Sequence, residues 1–120
     1  MSARTLDSIQ QSIGTFERTG FREVEWKRLE HDLDDLDLLR DDAGGTEATR
    51  LQGYIFRLVK NVATDFEACM EGQGKFPSPD YVGSLYTVLR MMGRRDLIDA
   101  RSMETIDTNY TSYLATQGLI

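Results

Sequence analysis

Few residues in this sequence could carry out chemistry, because it contains a single histidine, His31, and a single cysteine, Cys69. Nucleophilic and acid–base catalysis usually need such a group beside a second titrating side chain in a cleft. His31 follows Glu30 and precedes Asp35 by four positions on a very polar segment, which is typical of a solvated histidine. Cys69 has apolar helical neighbours and is expected to be a small buried side chain. The sequence therefore predicts no catalytic residue, and we expect no enzyme.

Carboxylates are abundant, but their spacing fits no metal or cofactor site. An EF-hand loop needs acids at alternate positions, and counting from Asp32 or Asp35 places a leucine at the fifth position. A di-iron bundle needs Glu-x-x-His on two helices, whereas Arg28 stands three positions before the one histidine. One cysteine and one histidine on separate segments do not make a zinc site. We therefore expect neither a metal ion nor a cofactor.

The acidic run is better interpreted as a surface. A near-heptad row predicts the apolar stripe of one helix: Trp26, Leu29, Leu33, Leu36 and Leu39 or Arg40. The acids between these positions should face solvent. The residues expected on this acidic face are Glu30, Asp34, Asp37 and Asp41. A rigid row of carboxylates can steer a basic protein partner to the surface, or imitate the phosphates of a nucleic acid. The plain alternative is a solvated helix face, which most such runs are.

A second candidate surface surrounds Gly93, where arginines and methionines cluster. Both residue types are enriched in protein interfaces, and methionine adapts to irregular surfaces. The residues expected in this Arg/Met patch are Arg90, Met91, Arg94 and Arg95. The plain alternative is that the methionines are core and the arginines pair within the chain. Opposite charges on one chain also permit self-association, so a homo-oligomer is a further expectation.

Five segments carry the apolar periodicity of helices, and these segments must position both surfaces. They span about 5–16, 21–42, 47–71, 79–92 and 95–117. The first is expected to be accessory, because it is short and weakened by glycines. The sequence predicts an all-α fold, a compact bundle of four to five helices whose sequential neighbours are mostly antiparallel. We expect a single domain over 1–120, with a short flexible N-terminus at 1–4.

One long irregular connection is expected at 72–79. Its glycine-rich start resembles part of a phosphate-binding loop, but Phe76 follows the lysine where that loop has Ser or Thr. Ser78 followed by Pro79 is typical of a helix N-cap with proline in the first turn. Phe76 is therefore a candidate anchor through which the loop contacts a partner.

The acidic balance argues against several classes of partner. A net charge of −6 and a pI near 4.7 do not suit direct binding to nucleic acid or anionic lipid, which needs clustered Lys and Arg. The N-terminal residues lack the apolar region of a signal peptide, and no apolar run approaches the roughly 20 residues that cross a bilayer. A lone cysteine fits a reducing compartment. We expect a cytoplasmic protein that contacts neither membrane nor nucleic acid.

These observations favour a non-enzymatic protein–protein interaction module, acting as a small regulatory, accessory or inhibitory subunit whose partner has a basic surface. One alternative is an acidic mimic that blocks the nucleic-acid site of a DNA- or RNA-binding protein. Another is a small-molecule-binding helical bundle, in which a cavity is lined by tyrosines: Tyr54, Tyr86, Tyr110 and Tyr113.

Overall fold

The structure is a computed structural model that describes residues 4–72 and 78–120. Over these residues the chain forms five α-helices and no strand. They are α1 (Leu6–Arg18), α2 (Trp26–Asp42), α3 (Gly45–Met70), α4 (Pro79–Arg94) and α5 (Ala100–Thr116). The all-α prediction is confirmed. Within the described ranges, no helix combines the length and the apolar character that crossing a membrane requires.

Hydrogen-bonded turns at the ends of α1 and α4 explain why the following helices, α2 and α5, begin later than the apolar periodicity predicts. After α1 and after α4, the second residue beyond the helix takes a positive φ, 63° at Gly20 and 57° at Asp96. The next amide then donates to a carbonyl five residues earlier, at 2.9 Å after α1 and 3.0 Å after α4. This is the Schellman motif, which satisfies the last carbonyls of a helix and stops it. Residues 19–25 and 95–99 consequently lie outside the helices.

Side-chain caps fix where α4 and α5 begin. The hydroxyl of Ser78 accepts from the backbone amide of Tyr81 at 3.2 Å, and Pro79 follows as the first helical residue. The sequence prediction for this helix start is therefore confirmed. Asp99 plays the same part for α5, because its carboxylate accepts from the amide of Ser102 at 2.8 Å. Each cap satisfies an amide that has no partner within its own helix.

Close contacts divide the chain into two compact units, Met1–Leu58 and Val59–Ile120, and α3 contributes to both. The expectation of a single domain over 1–120, with a flexible N-terminus at 1–4 and an irregular connection at 72–79, stays a prediction.

In the first unit α1 packs against α2. The contacts run in opposite order along the two helices, which makes them antiparallel: Arg4 with Asp35, Ser12 with Asp32, and Phe16 with Arg28. The apolar stripe of α1 is fully buried: Leu6, Ile9, Ile13 and Phe16. The expectation that α1 is accessory is therefore wrong. Burial of four large side chains, at about 1.5 to 3 kcal/mol each, outweighs the roughly 1 kcal/mol that a glycine costs a helix.

In the second unit α4 packs against α5, again with contacts in antiparallel order: Gly83 with Tyr110, Tyr86 with Asp107, and Gly93 with Met103. Gly93 lies inside α4, which runs two residues beyond the predicted end at 92. A Cβ atom at position 93 would stand only 2.8 Å from the Sδ atom of Met103. The glycine therefore allows a close approach between the two helices.

Two leucines of α2 give a matched test of this packing. Leu33 is 0% exposed, whereas Leu38 on the same helix is 52% exposed. We expect Leu33→Ala to lower the free energy of unfolding by about 2 to 5 kcal/mol, because it leaves a cavity in the first unit. Leu38→Ala should change it by less than about 0.5 kcal/mol. Urea unfolding followed by circular dichroism measures both values. Equal losses would contradict the orientation of α2.

The cap of α5 gives a pH-dependent prediction. Hydrogen bonds from the backbone and hydroxyl of Ser102 lower the pKa of Asp99. A lowered folded-state pKa means that the carboxylate stabilises the fold above its ordinary pKa of about 3.9. That contribution is lost as the pH falls through the lower, folded-state pKa. Asp99→Ala should therefore lower the Tm at about pH 7, and the difference from the parent should shrink below about pH 3.9. A Tm difference that does not change with pH would argue against the charged cap.

Candidate functional site

Helix α2 divides its carboxylates between two sides. Asp32 and Asp35 are buried, at 0% and 6% exposed, whereas Glu30, Asp34 and Asp41 are exposed. Sequence reasoning did not identify the inward pair. The signal for Asp32 was present, because it lies three positions after Leu29 and four before Leu36. Residues at these spacings share one face of a helix.

Arg4 neutralises both inward acids. Its Nη2 atom donates to Oδ1 of Asp32, and its Nε atom donates to Oδ2 of Asp35 at 2.8 Å. The second oxygen of Asp32 accepts from the Ser12 hydroxyl at 2.6 Å, and the Ser12 oxygen in turn accepts from Nε of Arg28 at 3.0 Å. These carboxylates raise the pKa of Arg4. The network joins α1 to α2 and gives each buried charge a partner, as burial requires.

His31 lies at the edge of this network. Its Nε2 atom stands 3.7 Å from Oδ2 of Asp35, and its side chain is 71% exposed. That exposure agrees with the expectation of a solvated histidine. Across residues 4–72 and 78–120, no three His, Cys, Asp or Glu side chains converge as metal ligands would.

The acidic face, Glu30, Asp34, Asp37 and Asp41, lies on the outward side of α2. Asp37 is the least exposed of the four and accepts from Nη2 of Arg40 at 2.7 Å. Two exposed apolar side chains lie beside the acidic face: Trp26 is 38% exposed and Leu38 is 52% exposed. Trp26 precedes Glu30 by four positions and Leu38 follows Asp34 by four, so each lies one turn from an acid. The sequence had placed Trp26 in the apolar stripe, which the structure corrects.

Only some residues of the Arg/Met patch are exposed at the surface. Met91 is 2% exposed, so its selection as a contact residue is corrected: its side chain belongs to the core of the second unit. Arg90 places its Cζ atom 5.8 Å from the ring centroid of Tyr86, and Nη1 of Arg95 donates to the Met91 carbonyl at 2.8 Å. Arg94 is exposed. Two of the three arginines are thus engaged within the chain. Phe76, the predicted loop anchor, lies outside the described residues.

The four tyrosines proposed to line one cavity fall into different units. Tyr54 belongs to the first, where burial raises the pKa of its hydroxyl. In the second, the rings of Tyr86 and Tyr110 stack with centroids 3.9 Å apart, and the Tyr86 hydroxyl donates to Asp107 at 2.6 Å. These two rings pack against each other. Tyr113 differs, since it lines a groove of about 480 Å³ beside the end of α3.

No family model, curated protein or solved structure matches this chain.

Substitution of Arg4 should show how much the burial of Asp32 and Asp35 lowers the free energy of unfolding when their guanidinium partner is absent. Arg4→Met leaves Asp32 and Asp35 without their guanidinium partner, so we expect the free energy of unfolding to fall by about 1 to 3 kcal/mol. Arg18→Met, at an exposed arginine of α1, is the matched control and should change it by less than about 0.5 kcal/mol.

Neutralising the acids provides the complementary half of this experiment. Arg4→Met combined with Asp32→Asn and Asp35→Asn should recover part of the loss, because no buried charge then lacks a partner. Urea unfolding measures all variants. If the combined variant falls by the sum of the separate losses, the three side chains do not act as one network.

Proposed function

We propose that this protein is a non-enzymatic interaction module that binds a partner protein of basic surface through the outward side of α2. The observation that carries the proposal is the sorting of charge on this helix. The inward acids are held by Arg4 within the first unit. The outward acids instead share the surface with Trp26 and Leu38.

The composition of this surface suits a protein partner. Binding energy at interfaces is concentrated in a few anchors, and tryptophan is among the residues most often found there. Trp26 and Leu38 are separated by twelve positions, which is about 18 Å along a helix. Glu30, Asp34 and Asp37 lie between these two anchors along the axis, and Asp41 lies one turn beyond Leu38. A partner that places lysines or arginines between two apolar pockets would complement both the charge and the spacing.

The helix that carries this surface is held rigidly. Leu29, Leu33 and Leu36 anchor its inner side in the core, and Arg4 and Ser12 tie its inward acids to the start and middle of α1. A preorganised surface loses little conformational entropy when a partner binds. The outward carboxylates then act chiefly on partner choice and on the rate of encounter, which are the usual effects of complementary charge.

The test uses a charge-neutralised face. Affinity capture from the native host identifies a partner, whose binding is then measured by titration calorimetry with the purified proteins. Glu30→Gln, Asp34→Asn and Asp41→Asn together should weaken binding about tenfold or more at low salt and flatten its dependence on salt concentration. Leu38→Ala should weaken binding without changing that salt dependence. The triple variant should unfold at an equal or higher temperature, because like charges one turn apart destabilise a helix.

A variant with the same charge change elsewhere is the matched control: Glu23→Gln, Asp65→Asn and Glu104→Gln, all exposed and outside α2. It should bind the partner as tightly as the parent protein. Equal binding by the two triple variants would contradict the proposal and leave the acidic face as solvated surface. If nucleic acid competes with the captured partner for the same face, the module acts as an acidic mimic of that nucleic acid.

A further inference from the structure

A groove in the second unit lies where α3 and α5 end. Its volume is about 480 Å³, and its lining comes from the last turn of α3, the C-terminal half of α5 and the residues that directly follow each helix. Cys69 is buried in its wall, and Met70 and Tyr113 are half-buried beside it. Sites for small ligands typically measure about 300 to 1,000 Å³ and combine apolar walls with a few polar groups. The volume of this groove falls within that range, and its lining combines apolar and polar residues.

The electrostatics of the groove are negative. Glu67 lies in the last turn of α3, and Glu71 follows directly after the helix, where its amide donates to the Glu67 carbonyl at 3.1 Å. No lysine or arginine is among the described lining residues. Both helices end at the groove, and the carbonyl end of a helix carries partial negative charge. Burial raises the pKa of Cys69 and of Tyr113, so thiol and phenol stay neutral at neutral pH. The amide oxygen of Asn109 and the hydroxyl of Ser112 add neutral acceptors.

One aromatic side chain of the groove, Tyr113, adds a second feature that favours a cation. The Tyr113 ring lies nearly parallel to Tyr110, at 13° with centroids 6.4 Å apart, and Tyr110 stacks on Tyr86 in turn. The face of a tyrosine ring attracts a cation within about 6 Å of its centroid. Met70 offers an adaptable apolar contact for a hydrocarbon chain beside it.

We propose that this groove binds a linear alkylammonium ion, with the ammonium group between Glu67 and Glu71 and its hydrocarbon chain against Met70 and Tyr113. A free polyamine and a lysine side chain of another protein carry this same group. The site lies on α3 and α5, so it is independent of the proposed binding surface on α2.

The test compares these two sources of the ammonium group. Spermidine and Nα-acetyl-lysine methylamide are titrated separately into the isotopically labelled full chain, with glutarate as an anionic ligand for comparison. NMR follows the Met70 methyl and the Asn109 side-chain amide, which both line the groove. We expect saturable shifts with at least one ammonium ligand and none with glutarate. Shifts with both ligands assign the groove to a single ammonium group, and shifts with spermidine alone assign it to a polyamine.

Variants then locate the binding. Glu67→Gln with Glu71→Gln should weaken the affinity about tenfold, and Tyr113→Leu about two- to fivefold. The matched control, Glu23→Gln with Glu104→Gln, lies outside both proposed binding surfaces at exposed positions and should bind as the parent does. Both groove glutamates are exposed, so helicity and Tm should stay unchanged. Absence of shifts at Met70 and Asn109, or equal affinity of the groove variant and the control, would overturn the proposal without affecting the proposed function of α2.

Discussion

A carboxylate that leaves water needs a charged or hydrogen-bonding partner, and α2 buries two of them. Arg4 meets this need from outside the helix, just before α1 begins. That contact places the start of α1 beside the middle of α2. Phe16, near the end of α1, lies beside Arg28, near the start of α2, so α1 runs along α2 in the opposite direction. The apolar stripes of the two helices are then brought face to face, and the polar contact and the hydrophobic contact select the same arrangement.

The burial of Asp32 and Asp35 also determines how much negative charge α2 exposes at its surface. If all of its acids faced solvent, the helix would carry a broad band of like charge with strong internal repulsion. Turning Asp32 and Asp35 inward narrows that band to the acidic face and leaves room beside it for Trp26 and Leu38. Within one acidic run, Asp32 and Asp35 thus stabilise the fold, and the acids of the acidic face are the ones proposed to bind a partner. The charge seen in the sequence overstates the charge that α2 presents to a partner.

The sequence predicted the helices well wherever burial of a stripe decides the structure. Leu29, Leu33 and Leu36 are inward as their spacing requires. It failed where the deciding contact is remote or belongs to the backbone. Asp32 finds its partner 28 positions earlier, which no local pattern reveals. The helix ends before 26 and 100 depend on positive φ angles at Gly20 and Asp96, and the second of these is not a glycine. The groove depends on how the ends of α3 and α5 meet, which periodicity does not report.

The contact between Gly93 and Met103 makes the spacing of α4 and α5 open to chemical modification. The Sδ atom of Met103 occupies the space that even a methyl group at position 93 would need, and Met103 is partly exposed. Methionine sulfur is the atom that cellular oxidants attack, and its sulfoxide places a polar oxygen on that atom. In so narrow a gap the added oxygen has to be accommodated by a shift of the side chain or of α5 itself. The glycine that permits tight packing therefore also ties the separation of the two helices to the oxidation state of the Met103 sulfur.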